Sequence, residues 1–371
     1  MNESKATRYQ RLRRRGQTRA WLLAGVALAV VAFTPLGRWL EIQSVRLASA
    51  APVDAQGILT LAIYITFIVL LCEAAAWPAL MHLSSRVDPV YGRAESAAAR
   101  SRLQGTVLLL PAAIIAAGVV WTTAAATGSV WWLVAGLLLS VGLVAAVHGG
   151  PTILTRLAGV RPLDRPQLAA GIAELARRAG VPVAAIQEWV VDEESTTIAM
   201  VAGVGAGRRV LVASAVAQSW TDDEVAVVVA HELAHHVHHD LLQALCLNAA
   251  VLCAGLWAGD VVVTASESWL GLRGIDDLAA LPVVAFVAWA VWLATTPLRH
   301  AQSRAQERRA DRFAIASTGN ADAFVSAVRR ASARHMAEER PTALTRWLFH
   351  RHPSVTERLA LADAWRRERA G

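Results

Sequence analysis

His231, Glu232 and His235 fall within Val225–Asp240, a run that reads VAVVVAHELAHHVHHD. On an α-helix residues i and i+4 share a face, so both imidazoles can address one metal ion with the Glu232 carboxylate beside them. Histidine nitrogen and carboxylate oxygen suit zinc, which in a catalytic site keeps three protein ligands and acidifies a water in the remaining position. Glu232 is then the base for that water. The His-Glu-x-x-His pattern also occurs by chance, so the rest of the chain must supply a third ligand. Arg304–Asp311, RAQERRAD, is helical by composition and places Glu307 and Asp311 on one face. Glu307 can complete a His, His, Glu set while Asp311 orients a ligand imidazole. Salt pairing with Arg304 and Arg308 is the ordinary alternative for the same spacing. Three further histidines, His236, His238 and His239, enrich the metal helix. His238 shares a face with His235 but stands two turns from His231, about 10 Å along the axis, so one ion cannot be reached from both ends. All three are expected to be solvated, pH-sensitive surface groups.

Several elements must position these residues. Thr221-Asp222-Asp223-Glu224 forms a capping box at the start of the metal helix. Upstream, Arg165–Gly180 reads as an amphipathic helix with Leu168, Ile172, Leu175 and Ala179 on one face and Gly180 as its C-cap. Ile186–Val191, Thr196–Ala202 and Arg208–Ala213 read as short strands, the last two joined through Gly203, Gly205 and Gly207. A small sheet beside a metal helix offers an exposed edge on which an extended peptide backbone can pair.

Most of the remaining sequence is apolar. Hydrophobic residues make up 55% of the 371 residues and mean hydropathy is +0.40, values that point to a membrane protein. Six runs are long enough to cross a bilayer: Trp21–Leu40, Gly57–Met81, Gly105–Ala125, Val130–His148, Leu241–Val263 and Leu281–Pro297. The first has no convincing small-residue cleavage site and further runs follow, so it reads as an uncleaved helix and not a signal peptide. The formal net charge of +7 is carried almost wholly by arginine. Because the arginines sit just beyond apolar runs, the bilayer and not nucleic acid is the expected partner. Cys72, Cys246 and Cys253 lie inside apolar runs and read as packing residues.

Loop charge sets the orientation. The N-terminal tail holds Lys5, Arg8, Arg11, Arg13, Arg14, Arg15 and Arg19, and the second-to-third connection holds Arg86, Arg93, Arg100 and Arg102, whereas the opposite loops are poor in basic residues. Trp131, Trp132 and Trp269 are expected in the outer headgroup belt. The chain is thus expected to comprise a basic cytoplasmic tail (1–20), four membrane helices (21–148) and a cytoplasmic region with the sheet and metal helix (149–240). Two more membrane helices (241–297) and a cytoplasmic helical region (298–371) follow. Glu73 is expected to line a polar cavity and Asp260 to reach water at the outer interface.

The ordered combination of HELAHH, Glu307–Asp311 (ERRAD) and His352–Arg358 (HPSVTER) resembles the membrane zinc metallopeptidases that include the type I CAAX prenyl protease and the bacterial protease HtpX. Tyr91-Gly92-Arg93, Trp131-Trp132, Pro151-Thr152 and the Arg161-Pro162-Leu163 run into GIAELARRAGVPV are similar to the CAAX-protease branch. The resemblance covers roughly residues 85–365. It implies one zinc per chain held by His231, His235 and Glu307, catalysis by Glu232, support from Asp311, and a substrate- and oxyanion-facing pair at His352 and Arg358. It also implies that the substrate strand, usually Asn-Ala in the family, is Ile198-Ala199 here, without the side-chain amide. A further family histidine is replaced by Asp240, where His238 or His239 could substitute. The expected fold is a mainly α, polytopic membrane protein with a zincin-like α+β catalytic domain on the cytoplasmic face of a bacterial inner membrane. The expected activity is zinc-dependent endopeptidase action on polypeptides; a membrane scaffold with a vestigial metal site is the reading from another class.

Overall fold

The computed structural model describes residues 4–92, 95–157, 159–190, 198–338 and 340–370, and among these it is mainly helical with a four-stranded sheet. The first helices are α1 (Lys5–Phe33), α2 (Leu36–Ala48), α3 (Val53–His82), α4 (Glu95–Thr127) and α5 (Trp131–Leu157). The sheet segment follows with β1 (Val160–Pro162), α6 (Pro166–Arg178), β2 (Ala185–Trp189), β3 (Ala199–Ala202), β4 (Arg209–Ala213), α7 (Ser214–Ser219) and α8 (Asp222–Val237). Next come α9 (Asp240–Leu270), α10 (Leu281–Ala294), α11 (Thr296–Thr318), α12 (Ala321–His335), α13 (Ala343–Phe349) and α14 (Val355–Ala370). Two compact units result, one from Arg11–Val141 with Asn248–Thr295, the other from Met1–Gln10, Gly142–Leu247 and Thr296–Gly371.

The first unit is a bundle of apolar helices. By length and hydropathy, Lys5–Phe33, Val53–Tyr91, Gly105–Gly150 and Asp240–Leu270 can each cross a membrane, with a fifth if Leu278–Ala294 and Thr296–Thr318 form one broken span. Within Gly105–Gly150 the short 3-10 segment Gly128–Val130 separates α4 from α5. Trp121, near the end of α4, donates its indole N–H to the Asp276 carbonyl just beyond α9. Trp131 and Gly136 of α5 meet Asp260 and Cys253 of α9 in descending order, so α5 and α9 are antiparallel. Gly255 and Gly259 lie against Ala288 and Val284, where an added Cβ would come within 3.0–3.2 Å of its neighbours, so the glycines let α9 and α10 approach closely.

The structure corrects three expectations in this unit. The first apolar helix stops at Phe33 and not at Leu40, because proline lacks an N–H and disfavours helix in the residue before it, here Thr34-Pro35. The chain restarts as α2, which packs on α3 and buries Leu40, Ser44 and Ala48. Arg38 of α2 reaches Asp277 at 2.5 Å and Arg273 reaches Glu41 at 2.9 Å, forming an ion cluster around the Asp277 side chain, which is fully buried. Burial raises the Asp277 carboxyl, but the two guanidiniums outweigh it and hold the group well below the usual carboxylate range. Trp131 is not in a headgroup belt; it is fully buried and donates to the half-buried Asp260 at 2.7 Å. Arg100 and Arg102 belong to α4 and not to a loop, and Arg93 lies outside the described residues.

The second unit is organised on the sheet, in the order β1-β2-β4-β3. β2 and β4 are parallel, Ala185 opposite Arg209, and β1 and β3 flank them antiparallel. β1 was not anticipated: three residues ending in proline carry no strand periodicity, and their partner Trp189 is remote in sequence. Central β4 buries Val210, Leu211 and Val212 completely, which accounts for its unbroken apolar run. Leu168, Ile172 and Leu175 of α6 and Val225, Val229 and Leu233 of α8 share a core with Val210 and Val212. The next stripe of α8, Val227 and Ala230, packs with Ala314 and Ile315 of α11 and Phe324 and Val328 of α12. With two stripes of α8 committed to packing, His231 and His235 occupy a third. The helix starts at the expected capping box: Glu224 N–H donates to the Thr221 hydroxyl (3.3 Å), and Thr221 N–H donates back to the Glu224 carboxylate (2.9 Å).

Candidate metal centre

One turn apart on α8, the His231 and His235 rings lie 5.0 Å apart and nearly perpendicular, at 87°. α11 packs against α8 and contributes Glu307 and Asp311, both buried. Glu307 Oε2 is 3.3 Å from His231 Nε2, and its Oε1 is 3.8 Å from His235 Nε2. One potential ligand atom from each of the three residues falls within 4.8 Å of the others. Tetrahedral zinc bonds of about 2.0–2.1 Å set ligand atoms roughly 3.3 Å apart, so the donor set fits such an ion. The salt pairing considered for Glu307 with Arg304 and Arg308 is absent among the described residues; its carboxylate turns to the histidines.

The second nitrogen of each imidazole meets a carboxylate. His235 Nδ1 is 2.8 Å from Asp240 Oδ2, and His231 Nδ1 is 3.0 Å from Asp311 Oδ1, the latter out of line for a strong hydrogen bond. Such contacts fix the tautomer and aim Nε2 at the metal position. Each carboxylate is itself held by arginine. Arg358 of α14 donates to Asp311 through Nε (2.9 Å) and Nη2 (2.5 Å), and Arg309 donates to Asp240 at 2.6 Å. The backbone carbonyl of Asp240 accepts from the Gln306 amide at 3.1 Å.

Burial disfavours charge on His231, yet Asp311 and Glu307 outweigh it and lift the imidazolium pKa to about 10. Burial likewise works against an ionised Glu307, but His231 and His352 hold its carboxyl far below the usual range. The site therefore favours positive charge. Glu232 shifts the other way: burial raises its carboxyl, Glu307 adds to this, and the imidazoles oppose it. A raised carboxyl suits proton transfer near neutral pH.

His352, in the segment before α14, brings Nδ1 to 3.0 Å from Glu307 Oε2 while its side chain stays 68% exposed, at the open side of the site. Arg358 stands behind Asp311 and over the Phe324 ring, 5.6 Å from its centroid, so the two residues paired in the sequence reading take different positions. His236 is no solvated group, because its Nε2 is 3.3 Å from the Val201 carbonyl and ties α8 to β3. His238 packs edge-on against Phe313, at 6.1 Å between centroids, while His239 is exposed with φ of 53°. None of the three joins the ligand set. Asp240, and not His238 or His239, meets the His235 ring among the described residues. Helical spacing could not place it, because the chain leaves α8 at His238 and restarts at Asp240.

β3 forms the outer edge of the sheet. Its Ile198 carbonyl accepts from Ala213 N–H at 2.9 Å, so Ile198 points inward and the alternate residues, Ala199 and Val201, point their backbone groups outward. His236 covers the Val201 carbonyl, and among the described residues the Ala199 N–H and C=O have no backbone partner. Residues 191–197, where the expected strand began at Thr196, lie outside the described residues.

A His, His, Glu cluster with the Glu232 carboxylate next to it in sequence, in a chain of long apolar helices, is the pattern of a membrane metallopeptidase of the His-Glu-x-x-His kind. The sequence pattern of peptidase family M48 matches residues 162–366, and the chain belongs to that family. The Bacillus subtilis (strain 168) protein described as uncharacterized metalloprotease YhfN is 29% identical over 239 residues, which is 63% of this chain and 56% of that protein. The chain thus spans little more than half the length of that relative. Protease HtpX of Legionella pneumophila subsp. pneumophila is 27% identical over 253 residues, covering 63% of this chain and 89% of its own. The crystal structure of S. mikatae Ste24p has the same fold, with a TM-score of 0.76 at 16% identity over 97% of this chain and 88% of that one.

Proposed function

We propose that the protein is an integral-membrane zinc endopeptidase that hydrolyses peptide bonds at the cytoplasmic face of a bacterial inner membrane. The observation that carries this reading is the convergence of His231, His235 and Glu307 beside Glu232, with Asp240 and Asp311 orienting the imidazoles. Zinc held there supplies Lewis acidity at the scissile carbonyl and a lowered pKa for the attacking water. Glu232 takes the proton of that water as its oxygen adds to the carbonyl carbon, then delivers it to the leaving amine as the C–N bond breaks. No covalent enzyme intermediate is required. His352, at the open side, donates to the developing oxyanion, while Arg358 holds Asp311 behind His231. The substrate enters as an extended strand along Ile198 and Ala199, read through its backbone at the outer edge of β3.

Glu232→Gln tests the reading, since glutamine preserves shape while removing the base. Zinc content should persist and cleavage of an unfolded reporter in detergent should fall by at least ~10²-fold. Undiminished cleavage by the variant removes Glu232 from the mechanism. A complete lack of cleavage by both proteins, with the variant fully functional in cells, favours the scaffold. The cytoplasmic assignment rests on the basic tail and is checked separately: reporters fused at residue 20, Gly274 and Gly371 should read inside, outside, inside. An outside signal at Gly371 overturns it.

A further inference from the structure

α11 carries a second group of cations on the face beside Glu307 and Asp311. Arg304 and Arg308 stand one turn apart, Leu344, Arg346 and Trp347 of α13 lie opposite, and together with Glu357 they line an open cavity of about 680 Å³. Arg304 is only 8% exposed. Its Nη1 donates to the carbonyls of Arg346 (3.1 Å) and His350 (2.6 Å), and among the described residues no carboxylate pairs with it. Glu357, the one acid in the lining, is already committed to Arg346 at 2.7 Å and to the Ser354 N–H at 2.8 Å. Arg308 is exposed and has neither ion pair nor hydrogen bond among the described residues.

A buried guanidinium without a direct ion-pair partner is unfavourable unless an anion completes it, and here Arg304, Arg308 and Arg346 share the single carboxylate of Glu357. Burial, with the charges of Arg308 and Arg346, pushes the Arg304 pKa down against the opposing charge of Glu357, as expected where cations outnumber acids. The cavity is also amphipathic: Leu344 and Trp347 on its wall are 65% and 51% exposed. Arg304 and Arg308 follow shortly after the apolar helix α10, which ends at Ala294, the position in a sequence where cations meet headgroups.

We infer that this cavity binds an anionic membrane phospholipid, with Arg304 and Arg308 on the phosphate and Leu344 and Trp347 against the proximal acyl chain. Guanidinium donors match phosphate oxygens in pairs, and an apolar wall next to them selects a lipid over a free anion. The site is distinct from the metal centre and does not depend on peptidase activity.

The test uses the full chain in nanodiscs of phosphatidylcholine with a minor share of phosphatidylglycerol, counting retained lipid by native mass spectrometry. The wild type should retain phosphatidylglycerol in preference to phosphatidylcholine. Arg308→Ala should weaken that retention about fivefold and Arg308→Glu about 25-fold, from the typical contribution of one arginine near a lipid surface. Arg304 also anchors α13, so the Arg308 variants carry the test, with unchanged zinc content showing that they remain folded. Trp347→Ala should weaken lipid retention without abolishing the preference for the anionic headgroup. Equal retention by wild type and Arg308→Glu overturns the site. Displacement of the lipid by inorganic phosphate at the lipid's own concentration, or indifference to Trp347→Ala, overturns the lipid in favour of a free anion.

Discussion

Each ligand histidine has its own carboxylate behind it, and each carboxylate its own arginine: His231, Asp311 and Arg358 on one side, His235, Asp240 and Arg309 on the other. Asp311 was legible in the sequence because it lies one helical turn from Glu307. Asp240 was not, because the helix break at His239 hides a neighbour that only the fold creates. The two arms predict similar sensitivities. Asp240→Asn retains the shape but removes the charge that stabilises His235 and Arg309, and zinc affinity is expected to fall by about 10–100-fold. Competition with a chelator measures this; an unchanged affinity would mean that Asp240 only bonds Arg309 and does not tune the centre.

Among the elements, α8 was the most legible. Its capping box and the shared face of His231 and His235 were readable from the sequence and stand where expected, whereas its two apolar stripes emerge from the packing. The break at Thr34-Pro35 was obscured by apolar residues on both sides, and the burial of Trp131 by a residue type equally at home in a headgroup belt or a core. Glu224 does more than its motif implies, since it also accepts from Ser326 (2.5 Å) and Arg330 (2.8 Å) and so joins α8 to α12. Burial works against its ionisation, but Ser326, the Thr221 N–H and Arg330 prevail and lower its pKa. A lowered carboxyl contributes stability above its unfolded pKa of about 4.3, and that contribution is lost as pH falls through the folded value. Glu224→Gln should therefore destabilise the protein by roughly 2 kcal/mol at neutral pH. Thermal unfolding at neutral and acidic pH checks the sign: the gap from wild type should narrow below about pH 4.3, and a gap that widens there contradicts the assignment.

At the scale of the whole molecule, the order of the motifs and the alternation of apolar and polar segments were enough to anticipate a helical membrane metallopeptidase, whereas the pairing of distant segments was not. The sheet-bearing unit draws on three separate stretches of chain, and the metal centre on two of them. That division has a consequence in time. During synthesis His231 and His235 leave the ribosome before α9 and α10 have been made, and Glu307 only afterwards. At about 5–20 residues per second the histidines wait several seconds for their third partner. A nascent chain is thus without its hydrolytic centre while its own unfolded segments are the nearest polypeptides. A chain stopped at Thr295 should hold no zinc and cleave nothing, and supplying 296–371 as a separate polypeptide should restore the metal. Stoichiometric zinc in the shortened chain alone would show that the centre assembles earlier, and that biosynthetic order offers the cell no protection from a half-made protease.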